Sequence, residues 1–280
     1  MNRPNRITSI LLFVLAATVV TSAARLYGQG APNQNTPARN QMVPKIRDRD
    51  GEDFEAQFPT VDMEAPEPSD LNQRIKRQAK SKRYDRLNLV DPRSSQSVDE
   101  SVIDNHWQED VTGLPVAQST LVVLGEALSA EAHLSNNKQG VYTEFSVQVT
   151  DVLKGDTPAL SSGWVITIDR PGGFVRYPDG HMILYRIFGM NMLRMNRQYL
   201  LFLNNPDQGP NYRVITGYET APGGVLPLDV GRNFDTYKGA DVTSFIRTVH
   251  NAIAVSTHYQ EAARKVYKCE STSYSSRALS

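Results

Sequence analysis

The chain has 280 residues and a formal charge of zero, because 30 basic side chains balance 30 acidic ones. This balance excludes a general electrostatic attraction to nucleic acid or to acidic surfaces. The length allows one or two domains, and long polar blocks indicate that much of the chain lies outside a hydrophobic core.

The first 30 residues, MNRPNRITSILLFVLAATVVTSAARLYGQG, have the order of a secretory signal peptide. Arg3 and Arg6 precede an apolar run from Ile7 to Val20, and small residues follow at positions 21–24. An uncleaved anchor and a buried helix are the alternatives. We therefore expect residues 1–30 to be a signal peptide or an N-terminal anchor. The remainder is expected to be exported: secreted, periplasmic or on the extracellular surface.

Residues 31–115 have the composition of a disordered, low-complexity linker with segregated charges. A part rich in Asn, Gln and Pro is followed by an acidic part. The basic block QRIKRQAKSKRYDR then runs from Gln73 to Arg86. Two interpretations of this block are open: a solvated helix or coil, and a specific site for a polyanion. Export argues against nucleic acid as the partner.

A short helix is one candidate structure at the start of the basic block. Ser69 could cap it. Leu71, Ile75 and Ala79 are spaced by four residues, which places them on one side of such a helix.

Short apolar-rich runs separated by turn residues predict an all-β sandwich or barrel over residues 116–230. The predicted strands are Thr120–Leu134, Tyr142–Gly155, Gly163–Ile168, His181–Met190, Gln198–Leu203, Asn211–Gly217 and a short edge strand at Val225–Leu228.

The segment Tyr142–Gly155, YTEFSVQVTDVLKG, alternates apolar and polar residues and predicts a strand with one buried face. Asp151 interrupts the alternation, so a bulge or strand exit is expected near it. Gly155 is expected to end the strand with a positive φ. Gly125, inside the preceding strand, predicts a bend or a close approach. Bent strands of this kind are how a small barrel turns its corners.

A helical segment is predicted over residues 231–270, capped by Asp241 or Thr243. Its apolar side chains recur at three- and four-residue spacing and are expected to pack on the barrel or close its end: Phe245, Ile246, Val249, Ala252 and Ile253. Residues 271–280 are expected to be a loose tail.

The single cysteine, Cys269, excludes an internal disulfide. It is either an unpaired residue on a terminal helix, or a functional residue that forms an intermolecular disulfide or acts as a reactive thiol.

Three segments together resemble the netrin-like module, which includes the inhibitory domain of the tissue inhibitors of metalloproteinases. They are VVLGEALSAEAHL, VYTEFSVQVTDVLKG and RQYLLFLNN. The resemblance covers about Thr120 to Gly217 and implies a five- to six-stranded OB-like barrel with a flanking helix. The family's inhibitors chelate the protease zinc through an N-terminal Cys-x-Cys, and this chain has no such motif. The resemblance therefore implies a fold rather than that inhibitory mechanism.

Catalytic and cofactor motifs are absent from the sequence. The five histidines, His106, His133, His181, His250 and His258, have no metal-ligand spacing. The chain also lacks a Gly-x-Ser-x-Gly nucleophile elbow and a phosphate-binding loop. We therefore expect no catalytic residues, no metal and no cofactor.

One segment, residues 170–198, combines arginines, aromatic residues and two Pro/Gly turns. Long loops on an OB-like barrel often carry ligand contacts, and Arg with aromatic residues suits a binding face. Core packing with ordinary loop charges is the alternative. The candidate binding patch comprises Arg170, Phe174, Arg176, Tyr177 and His181.

The sequence favours an exported, non-catalytic binding module whose partner is a protein or a polymer of the cell envelope. Membrane contact is expected only through an uncleaved N-terminal segment. Inhibition of an exported peptidase, with the 170–181 loop as the blocking element, is the first alternative. An enzyme with an unrecognised site is the second.

Overall fold

The computed structural model describes residues 58–90, 100–103, 107–155, 162–205 and 211–258. The expected signal segment, the tail at 271–280 and Cys269 lie outside these ranges. Among the described residues, none of the helices combines the length and the apolar character needed to cross a membrane.

The described part of the chain is mostly β, with ten strands and few helices. The strands are β1 (Thr60–Asp62), β2 (Glu100–Ile103), β3 (Leu121–Leu134), β4 (Val141–Lys154), β5 (Val165–Pro171), β6 (Gly173–Arg176), β7 (Met182–Ile187), β8 (Gln198–Asn204), β9 (Asn211–Ala221) and β10 (Gly224–Pro227). The helices are α1 (Leu71–Ser81), α2 (Arg232–Asp235) and α3 (242–258). All seven strands predicted from the sequence are present, while β1, β2 and β6 were not predicted.

Five strands pair in a closed ring. The six-stranded sheet has the order β10-β9-β5-β4-β3-β8, and β9 also pairs with β8. Each pairing in the ring is antiparallel except that of β5 with β9, which is parallel. Strand β10 extends the sheet as a hairpin partner of β9.

The pairing of β3 with β4 in the long hairpin is interrupted by register shifts. Phe145, Val147 and Val149 are fully buried, as the alternation predicted. The register shifts where Leu124 faces Asp151 and Gly125 faces Val149, so the predicted irregularity near Asp151 is confirmed.

Two glycines of this hairpin were predicted to have special roles, and the structure supports one of them. A Cβ on Gly125 would lie 2.6 Å from Cγ1 of Val147, which confirms the predicted close approach. The positive φ expected at Gly155 is wrong, because this residue is not among the glycines with positive φ. Instead, a Cβ on Gly155 would lie 2.8 Å from Cδ1 of Leu121.

A second sheet, ordered β1-β6-β7-β2, was not predicted. The chain leaves the ring at the end of β5 through Gly172 and Gly173, with φ of 113° and 148°. These angles suit glycine and redirect the backbone into β6. The strand predicted at His181–Met190 is present as β7, but it belongs to this second sheet rather than to the ring.

Apolar side chains form three buried clusters. The first fills the ring and includes Phe145, Ile168 and Leu201. A second lies against the β1-β6-β7-β2 sheet. The third lies outside β8 and β9 beneath α3, where Phe245 and Val249 are buried. The predicted packing of the C-terminal helix on the strands is thus confirmed, with Asp241 capping it by accepting from Ser244 N at 2.9 Å.

The linker expected over residues 31–115 differs from the structure wherever that stretch is described. Residues 58–90 contain β1 and α1, and residues 107–115 contact the folded core. Tyr218 donates to Gly113 O at 2.6 Å, and Asn233 donates to Val111 O at 3.0 Å. A boundary at 115–116 therefore does not separate linker from domain. Residues 100–103 form β2, which pairs with β7, and the rest of the expected linker lies outside the described residues.

Candidate functional site

Helix α1 packs on the outer face of β3 and β4 through charged side chains. Glu131 and Glu144 lie directly opposite each other on the two strands, where like charges repel. Helix α1 supplies two cations three residues apart, on one helical face. Arg77 approaches Glu131 at 3.6 Å, and Lys80 approaches Glu144 at 2.8 Å. Ion pairs with these two carboxylates therefore hold the basic block on the sheet.

A 3₁₀ turn after α1, Lys82–Tyr84, inserts an aromatic anchor. Tyr84 is 1% exposed, and its ring stacks on Tyr142 with centroids 4.2 Å apart. The Tyr84 hydroxyl donates to Asp169, which also accepts from Arg83 Nη1 at 3.3 Å. Burial raises the pKa of Asp169 above its usual value, while these two donors oppose the shift. Burial, reinforced by Asp169, likewise raises the pKa of Tyr84 well above its usual value.

The turn between β3 and β4 forms hydrogen bonds with the end of α1 and with the residues that follow it. Asn136 Nδ2 donates to Gln78 O at 2.9 Å. Asn137 Nδ2 donates to Asp85 O at 2.7 Å, and Asn137 N donates to Asp85 Oδ1 at 3.2 Å. Asp70 caps α1 by accepting from Gln73 N at 2.7 Å. The sequence had suggested Ser69 for this cap, one residue too early.

Between α1 and the strands lies a groove with a cavity volume of about 990 Å³. We call it the α1 groove. It is lined by Pro68, Gln73, Lys76, Arg77, Ala79, Lys80, Lys82, Arg83, Asp85, Arg86, Glu131, His133, Glu144 and Asn211.

Six cations and three carboxylates line the α1 groove, and only some of them neutralise each other. Arg77, Lys80 and Arg83 pair with carboxylates of the strands. Within the described residues, three further cations form no ion pair: Lys76, Lys82 and Arg86. These three are exposed, so the groove presents an excess of positive charge to solvent.

His133 lies inside the groove between the two opposed carboxylates. Its Nδ1 is 3.7 Å from Glu131 and its Nε2 is 3.8 Å from Glu144. The residue is 6% exposed. Burial lowers the pKa of His133 below 6.5, with the two glutamates opposing that shift and Arg77 and Lys80 reinforcing it. The neutral imidazole is therefore favoured in the folded protein.

The five residues of the predicted binding patch do not form one surface. Arg170 is fully buried and Phe174 is 9% exposed, packed edge-on against Phe58. Tyr177 is also buried, at 5% exposed, and His181 is half-buried. Arg176 is exposed and pairs with Asp62 at 3.2 Å, and the rings of Tyr177 and His181 stack at 4.5 Å.

Arg170 instead belongs to a buried network. Its Nη2 donates to Asp229, and Asp229 also accepts from Thr216 Oγ1 at 2.8 Å and from Asn191 N at 3.2 Å. Among the described residues, Nε and Nη1 of Arg170 have no hydrogen-bond partner. Asp229 also lines a second cavity of about 370 Å³, in which Arg194 pairs with Glu219 at 2.7 Å.

His133 and Glu144 were missed as site residues by the sequence reasoning. The signal was available in the β3–β4 hairpin. Its turn pairs Leu134 with Val141, which sets Glu131 opposite Glu144 three residues further along. The described residues contain no spatial group of His, Cys, Asp and Glu suited to a metal ion.

Comparison of the chain with protein-family models and with curated proteins gives no match in either case. The netrin-like resemblance therefore stays a prediction.

Proposed function

We propose that this chain is an exported, non-catalytic binding module whose ligand lies in the α1 groove. The single observation that carries the proposal is the groove itself. Its volume of about 990 Å³ is at the upper end of the range for ligand pockets, about 300–1,000 Å³. Its walls come from a helix and a sheet that ion pairs hold together, so the groove is pre-formed.

The proposed architecture is a five-stranded OB-like barrel of β3, β4, β5, β9 and β8. The closed ring of pairings and the register shifts between β3 and β4 support it. The netrin-like resemblance is proposed at the level of fold only. The order of basic, apolar and small residues in the first 30 positions supports export.

Binding is favoured over catalysis because the charged groups deep in the groove already have partners. Lys80 and Glu144 pair with each other at 2.8 Å, and Arg83 pairs with Asp169. One observation favours an enzyme as the second candidate: His133 lies between two carboxylates, where it could exchange protons. Inhibition of a peptidase has weaker support, since residues 171–175 of the expected blocking loop are buried.

Photo-crosslinking from inside the groove tests the proposal. A benzoylphenylalanine replaces Ala79, which lines the groove, in the full chain. The control places it at Val255, which is 56% exposed on α3. Both proteins are irradiated with the exported fraction of the producing cell.

We expect a discrete adduct from position 79 and none from position 255. Equal labelling at both positions, or none at either, would contradict the proposal. If the chain were an enzyme, His133→Gln would stop turnover of the captured ligand while the adduct at position 79 persisted.

A further inference from the structure

The apolar side chains of α1 are exposed while charged and polar ones are buried, which is the reverse of the usual arrangement. A surface helix normally buries its apolar stripe and exposes its polar face. Here the buried residues of α1 are Lys80 and Ser81. Leu71 and Ile75 are 65% and 55% exposed. The stripe predicted from the four-residue spacing therefore exists, but it faces solvent.

This apolar stripe continues into the α1 groove. Leu71, Ile75 and Ala79 follow each other at intervals of four and so share one face of the helix. Ala79 also lines the groove. Lys76, Lys82 and Arg86, the described groove cations without an ion pair, line the same groove. A ligand in the groove would thus meet positive charge and apolar surface together.

We propose that the α1 groove binds an acidic polypeptide segment that also carries apolar side chains. Carboxylates of the segment contact Lys76, Lys82 and Arg86, and its apolar side chains cover Leu71 and Ile75. This assignment rests on the proposed function and adds the chemical class of the ligand. Charge complementarity selects an anionic partner. The adjoining apolar stripe selects a polypeptide over a hydrophilic anionic polymer, which has nothing to bury against it.

The probe is a short fluorescein-labelled peptide of Glu-Glu-Leu repeats, titrated with the full chain and followed by fluorescence anisotropy. An all-Glu peptide of equal length and inorganic polyphosphate are the comparison ligands. We expect the Glu-Glu-Leu peptide to bind more tightly than either, with an affinity that falls as salt is raised.

Two variants separate the contributions of charge and apolar surface. The triple variant Lys76→Ala/Lys82→Ala/Arg86→Ala is expected to weaken binding about tenfold, because each exposed charge contact contributes a few-fold. The double variant Leu71→Gln/Ile75→Gln places good helix formers at both positions. It is expected to weaken binding of the Glu-Glu-Leu peptide and to leave binding of the all-Glu peptide unchanged. The charge-matched control is Arg232→Ala/Lys238→Ala/Arg247→Ala, which removes three exposed cations elsewhere and is expected to leave binding unchanged.

Three results would overturn the assignment. Equal effects of the groove triple and its control would show non-specific charge attraction. Tight binding of polyphosphate and the all-Glu peptide, unaffected by the Leu71 and Ile75 changes, would assign the groove to an anionic polymer. No binding of the Glu-Glu-Leu peptide would reject the ligand class. In each case an adduct from position 79 would still support the binding module, whereas its absence would reject both proposals.

Discussion

The guanidinium of Arg170 is wholly buried, and one carboxylate, that of Asp229, balances its charge. A buried ion pair adds little net stability compared with well-packed apolar residues. Removing one partner, however, leaves the other charge buried and uncompensated. The two arginine nitrogens without partners make this site more dependent on Asp229.

We predict that Asp229→Ala lowers the free energy of unfolding by about 3–5 kcal/mol. The double variant Arg170→Met/Asp229→Leu should lose less of the free energy of unfolding, because it leaves no unpaired charge in the interior. Urea denaturation measures both. The control is Asp62→Ala, which breaks the exposed pair with Arg176 and should change the free energy of unfolding by less than about 1 kcal/mol. Equal losses from Asp229→Ala and Asp62→Ala would refute the assignment of a buried pair.

His133 should make stability depend on pH. Burial lowers its pKa in the folded protein below 6.5, so the unfolded chain binds the proton more readily between the folded pKa and 6.5. The free energy of unfolding should therefore fall as pH falls through that interval. His133→Gln should flatten this part of the profile, as measured by urea denaturation at about pH 5 and about pH 7.5. His250→Gln, on the exposed face of α3, is the matched control and should leave the profile unchanged.

At the scale of the elements, α1 is placed by charge more than by apolar burial. Its mostly polar sequence led to the expectation of a solvated segment. That expectation missed the two carboxylates that the β3–β4 hairpin sets side by side on its outer face. A helix that presents two cations three residues apart can neutralise both carboxylates. Arg77 and Lys80 are such a pair.

Double-mutant cycles should rank the two ion pairs of α1 by burial. For Lys80–Glu144, with side chains 9% and 22% exposed, we predict a coupling energy of about 1–3 kcal/mol. For Arg77–Glu131, with side chains 40% and 71% exposed, solvent screening should keep it below about 1 kcal/mol. Lys80→Met with Glu144→Gln, and Arg77→Met with Glu131→Gln, are the variants. A larger coupling for the exposed pair would contradict this account of how α1 is held.

The ring strands were predictable because each carries its own pattern. The alternation of β4 and the close approach at Gly125 are local features, and both were found. The second sheet was not predictable in the same way. Strands β1 and β2 are short and pair in parallel with β6 and β7, which are far from them in sequence. Pairing of that kind depends on where the Gly172–Gly173 bend sends the chain.

For the whole molecule, the site was harder to predict than the fold. The patch at 170–181 was inferred from residue types alone, and residue type does not show which arginine is buried. The α1 groove joins residues from α1, β3 and β4, about fifty to seventy positions apart in the sequence. The basic side of the groove was predicted to belong to a linker, because that prediction was made from composition. A block of like charges does not indicate that complementary carboxylates lie elsewhere on the fold.

The most direct test of this account is hydrogen exchange of the full chain, followed by mass spectrometry. The α1 groove exists only while α1 is packed on β3 and β4. We predict that amides of residues 71–84 exchange slowly and lose this protection in Lys80→Glu, which repels Glu144. Exchange of residues 71–84 at the rate of an unfolded peptide in the unaltered chain would contradict the packing, the groove and the proposed function together.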